Sequence, residues 1–265
     1  MKTLKKLYLG LVLFFMYAPI LVLMLFSFNN SSARNYWGGF TLRWYRELFN
    51  SPEVMRALRV TLLIGILSTI ISVIIGTLAA ISVDKLGKKK RKAIMSVSKL
   101  PVMMPDIITG ITLLILFQFV FRVVGFGQLG FGTLLLAHVI FNVPYVILSI
   151  LPRLRQLDPN MYEAALDLGA SPLRAFIQVI LPEIWPGVIT GALLAFTLSI
   201  DDFMVSFFTT SAAVQNLSLH IFTMTRRGVN PMINALSALI FFVILFMLFL
   251  INTRDKQLMR RRNDN

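Results

Sequence analysis

Six apolar runs, each long enough to cross a hydrocarbon layer of roughly 30 Å, leave this chain few folds to adopt. They lie near Leu7–Phe28, Val60–Val83, Leu100–Phe121, Phe131–Leu151, Ile184–Phe208 and Ile233–Ile251. Away from water, a segment must pair its own backbone N–H and C=O groups, so runs of this length read as transmembrane helices. The expected fold class is an all-α polytopic membrane protein with six transmembrane helices. A mean hydropathy of +0.76 and a hydrophobic content of 57% exclude an ordinary soluble domain.

Charge fixes the sides. The chain carries 26 Lys+Arg against 12 Asp+Glu, a balance that in a soluble domain would suggest nucleic acid. Here the basic residues lie between apolar runs rather than on one soluble face, so no nucleic-acid partner is expected. Eighteen of the 26 fall on one side of the six runs, Lys88–Lys92 and Arg260–Arg262 among them. The positive-inside rule then makes both termini cytoplasmic, together with residues 84–96 and 153–182, and places 29–56 and 209–232 outside. The Lys-rich start resembles a secretory signal, but its apolar run of about 22 residues exceeds the 7–15 of a signal core. It reads as a retained first span. No repeat or low-complexity linker appears, so residues 1–265 read as one transmembrane domain. It comprises a first span (7–28), an external segment (29–56) and a five-helix core (57–253) that contains the cytoplasmic loop 153–182. Ser51-Pro52-Glu53 looks like the start of a helix that runs into the second span. There is no cysteine, hence no thiolate site, and the two histidines, His138 and His220, lie too far apart in sequence to suggest a metal.

The loop 153–182 holds the most specific string: Glu163-Ala164-Ala165, three residues, Gly169, nine residues, then Val179-x-Leu181-Pro182. Locally it reads as two short helices. Asn160 with Glu163 suits a capping box, Gly169 suits the left-handed residue that ends the first helix, and Ser171-Pro172 suits the start of the second. The string resembles the E-A-A-x3-G-x9-I-x-L-P loop of ABC importer permeases, with Val179 where Ile is usual. The resemblance implies that the loop plugs into a cleft on a separate cytoplasmic ATPase.

Other motifs carry less. Gly125-x-Gly127-x-x-Gly130 matches a dinucleotide fingerprint but joins two apolar runs, with no acid about 20 residues on, so it reads as a turn. No G-x-x-x-x-G-K-[ST] is present, so the chain cannot cradle ATP phosphates itself. His138 and Asn142, i and i+4 on span 4, share a face suited to interhelical hydrogen bonds.

Asp106, Asp201 and Asp202 lie within apolar runs, where each costs roughly 2.5–3.5 kcal/mol at mid-bilayer unless it meets a polar cavity or a partner. Helical rise puts Asp106 about 9 Å past Leu100 and Asp201 about 22 Å past Pro186, an inner single acid and an outer pair. A structural alternative has Asp201 and Asp202 capping an interface or pairing with Arg226 or Arg227.

Taken end to end, the chain resembles the C-type permease subunits of spermidine/putrescine ABC importers, within the binding-protein-dependent transport inner-membrane component family. The residues that carry this are Ser27-Phe28-Asn29, Gly39-Phe40-Thr41, Trp44-Tyr45, Met104-Pro105-Asp106-Ile107, the 163–182 loop and Phe196 through Asp202. The resemblance implies a type I ABC importer permease in the bacterial inner membrane, not an enzyme, that moves polyamine inward. It implies no cofactor in this chain, with ATP on the partner. The partners are a homologous second permease in a heterodimer, two cytoplasmic ABC ATPase subunits, an extracytoplasmic solute-binding protein and membrane lipid. Asp106, Asp201 and Asp202 would line the substrate path. Glu163, Ala164, Ala165, Gly169, Leu181 and Pro182 would form the ATPase coupling loop. Trp37, Trp44, Arg226 and Arg227 are candidate contacts for the binding protein. Two other readings remain open from the residues: a permease for another cation or small solute, and an ion-coupled secondary transporter, which has no need of the 163–182 loop.

Overall fold

The computed structural model describes residues 2–31, 36–158, 160–227, 231–242 and 245. Its helices are α1 (Lys2–Phe26), α2 (Arg43–Asn50), α3 (Pro52–Asp84), α4 (Lys88–Met103), α5 (Asp106–Val124), α6 (Phe131–Leu154), α7 (Met161–Asp167), α8 (Pro172–Ala175), α9 (Leu181–Asp201), α10 (Met204–Thr209) and α11 (Leu217–Arg227), followed by α12 (Met232–Phe242). Five helical stretches among these residues are long and apolar enough to cross a membrane. Of the sixth expected span, only the α12 part falls within the described residues. The chain divides into two compact units, residues 1–55 with 221–265, and Arg56–His220.

In the first unit, α1 exposes apolar side chains along its length, Leu7, Phe14 and Phe15 among them. The chain after it is tied down by Asn29. The Asn29 amide donates to the Tyr36 carbonyl at 2.7 Å and accepts from Gly38 N–H at 2.7 Å, and the Trp44 indole N–H donates to the Asn29 carbonyl at 2.7 Å. Phe28 stacks on Phe40 with ring centroids 5.3 Å apart. With the preceding residues held by these bonds, the helix that carries Trp44 and Tyr45 begins only at Arg43.

The second unit is built on α6 and α9, which run antiparallel in close contact. Glycines make that approach possible. A Cβ on Gly187 would lie 2.9 Å from the Ser149 carbonyl oxygen and 3.2 Å from Ile150 Cα, and one on Gly191 would lie 3.2 Å from Val146 Cα. Around this seam Val146, Ile147, Ile150, Ile184, Val188 and Ala195 form a buried core. Gly187→Val pushes backbone apart, so it is expected to destabilise by about 1–3 kcal/mol. A lower unfolding midpoint for the detergent-purified protein checks this, and an unchanged midpoint contradicts the packing.

Two expected spans are broken. Pro105 lacks an N–H and keeps Met104 out of the helical region (ψ 146°), so the third span splits into α4 and α5. Asp106, expected about two turns inside that span, is instead the first residue of α5. The fifth span, expected to run unbroken to Phe208, stops at Asp201, and Asp202 is extended (ψ 127°). At its start the same span is longer than expected. A π turn, Phe176–Ile180, in which Leu181 N–H donates to the Phe176 carbonyl, precedes Pro182, and residues Pro172–Asp201 form one helical stretch of 30 residues.

Candidate functional site

The 163–182 loop folds largely as its spacing predicts. Gly169 has φ +84°. Gly169 N–H donates to the Leu166 carbonyl at 2.8 Å and Ala170 N–H to the Ala165 carbonyl at 3.1 Å, the paired bonds of a Schellman motif. Ser171 Oγ accepts from Arg174 N–H at 3.4 Å, with Pro172 at the first helical position. The expected Asn160–Glu163 capping box does not form. Asn160 is itself in the right-handed helical region, where its side chain cannot reach the N–H groups of the first turn. Ala165 is buried, whereas Glu163, Ala164 and Gly169 are exposed. Beside them Leu168 is 90% exposed and Leu173 68%. Leu181 is partly buried and Pro182 exposed, at the point where the π turn passes into α9. Glu163 also lines a cleft of about 600 Å³ with Asp84, Lys85, Arg155, Asp158 and Tyr162, in which Lys85 Nζ lies 5.4 Å from the Tyr162 ring centroid.

The three acids differ in surroundings. Asp202 is buried and its carboxylate closes α10: Oδ1 accepts from Val205 N–H at 3.1 Å, and Oδ2 accepts from Ser206 N–H and Ser206 Oγ, each at 2.7 Å. The Asn216 amide holds the same corner, donating to the Asp202 carbonyl at 2.9 Å and to Ser206 Oγ at 2.7 Å. Asp201, one residue earlier, is exposed, as is Asp106. Asp202 thus caps helix α10, whereas Asp201 does not. The neighbours part because the helix ends between them.

Packing sets the level of these residues along the bundle. Asn142 donates to Ser199 Oγ at 2.7 Å and to Ser68 Oγ at 3.5 Å, and the two serine hydroxyls are 3.0 Å apart. Thr133 Oγ1 donates to the Thr209 carbonyl at 2.7 Å. Asp202 therefore sits opposite the stretch of α6 between Thr133 and Asn142, beside His138, roughly 10 Å in from the start of a helix about 36 Å long. Gly110 fits against α10, where a Cβ would lie 3.0 Å from the Met204 carbonyl oxygen. Asp106 is one turn, about 6 Å, before Gly110, and Asp201 is three residues before Met204. Since α5 and α9–α10 both run antiparallel to α6, the exposed acids stand within about a turn of the same level. The inner and outer positions expected from the sequence assumed unbroken helices, and the breaks before Asp106 and after Asp201 change that count.

Of the candidate contacts in the first unit, Trp37 is 49% exposed, but Trp44 is only 5% exposed and its indole N–H is bonded, which removes it from the surface. Arg226 is exposed and stacks over Phe222 at 4.7 Å; the Arg227 side chain lies outside the described residues. The residues that sequence reasoning missed are Ser68, Ser199, Ser206 and Asn216. For the three serines the signal is a small polar side chain within a helix; Asn216 lies just before α11, outside a helix, and carries no such signal.

Residues 72–261 match the family described as binding-protein-dependent transport system inner membrane component. The chain is 41% identical over 228 residues to the putrescine transport system permease protein PotI of Escherichia coli, an alignment covering 85% of this chain and 81% of that one. It is 36% identical to the spermidine/putrescine transport system permease protein PotC of Haemophilus influenzae, over 99% and 98% of the two chains. In fold it is similar to a bacterial ABC transporter involved in the import of the acidic polysaccharide alginate, with a TM-score of 0.72 at 16% identity and coverage of 95% of this chain and 94% of that one. The chain belongs to the binding-protein-dependent transport system inner membrane component family, and it is a multi-pass inner-membrane permease subunit of an ABC importer rather than an enzyme.

Proposed function

We propose that this permease carries a polyamine, spermidine or putrescine, from an extracytoplasmic binding protein into the cytoplasm. The observation that carries the reading is the pair of exposed carboxylates, Asp106 and Asp201, each at a helix break between apolar helices. An exposed acid in such a place is tolerated where it faces a polar route. Carboxylates there replace the hydration lost by ammonium groups with charge-assisted hydrogen bonds. The names of the relatives, which specify putrescine and spermidine, agree with that chemistry. Of the adjacent acids we assign the path to Asp201, and give Asp202 the task of holding the break that presents it.

The assembly in this reading is a heterodimer with a homologous permease, two cytoplasmic ABC ATPase subunits and a binding protein, in a type I arrangement of six spans with both termini cytoplasmic. The chain itself uses no cofactor; ATP binds to the ATPase. The surface around Glu163, Gly169, Leu168 and Leu173 meets the ATPase, and Trp37 with Arg226 meets the binding protein. The helical stretch Pro172–Asp201, about 45 Å long, ties the turn at Gly169 to Asp201, so a displacement at the ATPase reaches the substrate path through one stiff element.

The absence of cysteine makes the topology testable. Lys89→Cys is expected to resist an impermeant thiol reagent added to intact cells, and Phe40→Cys, at a position 71% exposed, to react. Labelling at position 89 from outside would overturn the orientation. Uptake of radiolabelled spermidine and putrescine by cells expressing the transporter, compared with Asp201→Asn, tests the substrate. Full uptake without the carboxylate would remove the polar-route argument.

A further inference from the structure

α9 ends at Asp201, and the last carbonyl groups of a helix have no partner within it. The carbonyls on either side of Asp201 are both met by side chains of one short segment, residues 216–218. Ser218 Oγ donates to the Ile200 carbonyl at 3.4 Å, and the Asn216 amide donates to the Asp202 carbonyl at 2.9 Å. Asn216 is 2% exposed and uses the rest of its amide as well. It donates to Ser206 Oγ of α10 at 2.7 Å, and its Oδ1 accepts from Leu219 N–H, in the first turn of α11, at 3.0 Å. One side chain therefore joins the end of α9, the body of α10 and the start of α11. The segment is itself anchored, since Leu217 N–H donates to Oγ1 of the buried Thr61 on α3 at 2.7 Å.

We propose that Asn216, assisted by Ser218, is a positioning residue for transport and sets the direction in which Asp201 is presented. This role rests on the reading of Asp201 as a carboxylate of the substrate path. The Asp202 carboxylate holds α10, the element after the break. The 216–218 segment holds the break from both sides of Asp201, because each held carbonyl fixes the orientation of a planar peptide unit. Deleting the Asn216 amide leaves the Asp202 carbonyl and Ser206 Oγ short of a partner in a buried corner, which the chain relieves by turning the break. Asn216 does not touch substrate; it acts through Asp201.

The hold on residue 201 is readable without cargo. A nitroxide attached through Asp201→Cys in this cysteine-free chain, in the purified transporter with the unsubstituted chain as background, reports how firmly the break is kept. Asn216→Ala is expected to narrow its spectral lines, while a label at Trp185→Cys, 51% exposed near the other end of α9, keeps its line shape. In uptake per folded transporter, Asn216→Ala is expected to lose about tenfold, but less than about twofold when Asp201→Asn is already present, because the two act at one point. Ser218→Ala removes only the longer bond and is expected to lose about twofold with the same non-additivity; it carries the test if Asn216→Ala folds poorly. Unchanged lines at position 201, or uptake losses that multiply in full, overturn the proposal. Wild-type uptake in Asp201→Asn would instead defeat the path reading and the transport role with it, while the label would still decide whether Asn216 holds residue 201.

Discussion

Asp201→Asn is expected to lower polyamine uptake about 100-fold with the amount of assembled permease unchanged. Asn keeps the size and polarity of the side chain and removes only the charge. An ammonium group that leaves water for the path loses a carboxylate partner, which costs about 3 kcal/mol at a desolvated site, against under about 1 kcal/mol for an exposed surface pair. The first figure corresponds to about two orders of magnitude. Asp106→Asn is expected to act in the same direction at the same step. Asp202→Asn should differ in kind. It weakens the cap on α10, where Oδ2 accepts two bonds, so its first effect is on the unfolding midpoint and the yield of folded protein. Uptake assays normalised to membrane protein level, run beside thermal unfolding, separate the two. Wild-type uptake in both Asp201→Asn and Asp106→Asn would leave these acids without a role in transport.

The second large effect is at Gly169. Its φ of +84° costs a residue with a Cβ about 1–2 kcal/mol, and no atom lies within 4 Å of where that Cβ would stand. The penalty is therefore backbone strain and not a clash. Gly169→Val should relax the turn, misdirect α8 and uncouple ATP hydrolysis from transport while the permease still inserts. Gly169→Asn, which tolerates the left-handed region, should retain most activity. ATPase co-purification and substrate-stimulated hydrolysis check both variants. Equal coupling in Val and wild type would detach the turn from any coupling role.

These residues also show how far the sequence could be read. The apolar spans were legible because a membrane demands long unbroken runs, and Gly169, Ser171 and Pro172 were legible because their turn chemistry is local. The break before Asp106 was announced by Pro105, but apolar length alone carried the expected span across it. The break after Asp201 has no proline or glycine at 202 or 203. It arises from Asp202, Ser206, Asn216 and His138 meeting across the bundle, a tertiary cause that helical periodicity cannot carry. For the same reason the sequence offers Trp44 as a candidate contact for the binding protein, although the carbonyl of Asn29, fifteen residues earlier, accepts its indole N–H. The acids stand out in the sequence by their cost in an apolar run, whereas their positions along the bundle depend on helix breaks that apolar length does not show.

The most direct test of the account is ATP hydrolysis by the purified transporter in nanodiscs, with the binding protein added empty, loaded with spermidine or putrescine, or offered an anionic solute. The account predicts that a nucleotide-hydrolysing subunit co-purifies with this chain and that the polyamine-loaded protein alone accelerates it, with Asp201→Asn abolishing most of the coupled uptake. An ATPase that fails to co-purify, or one stimulated by the anionic solute and indifferent to polyamine, would contradict it.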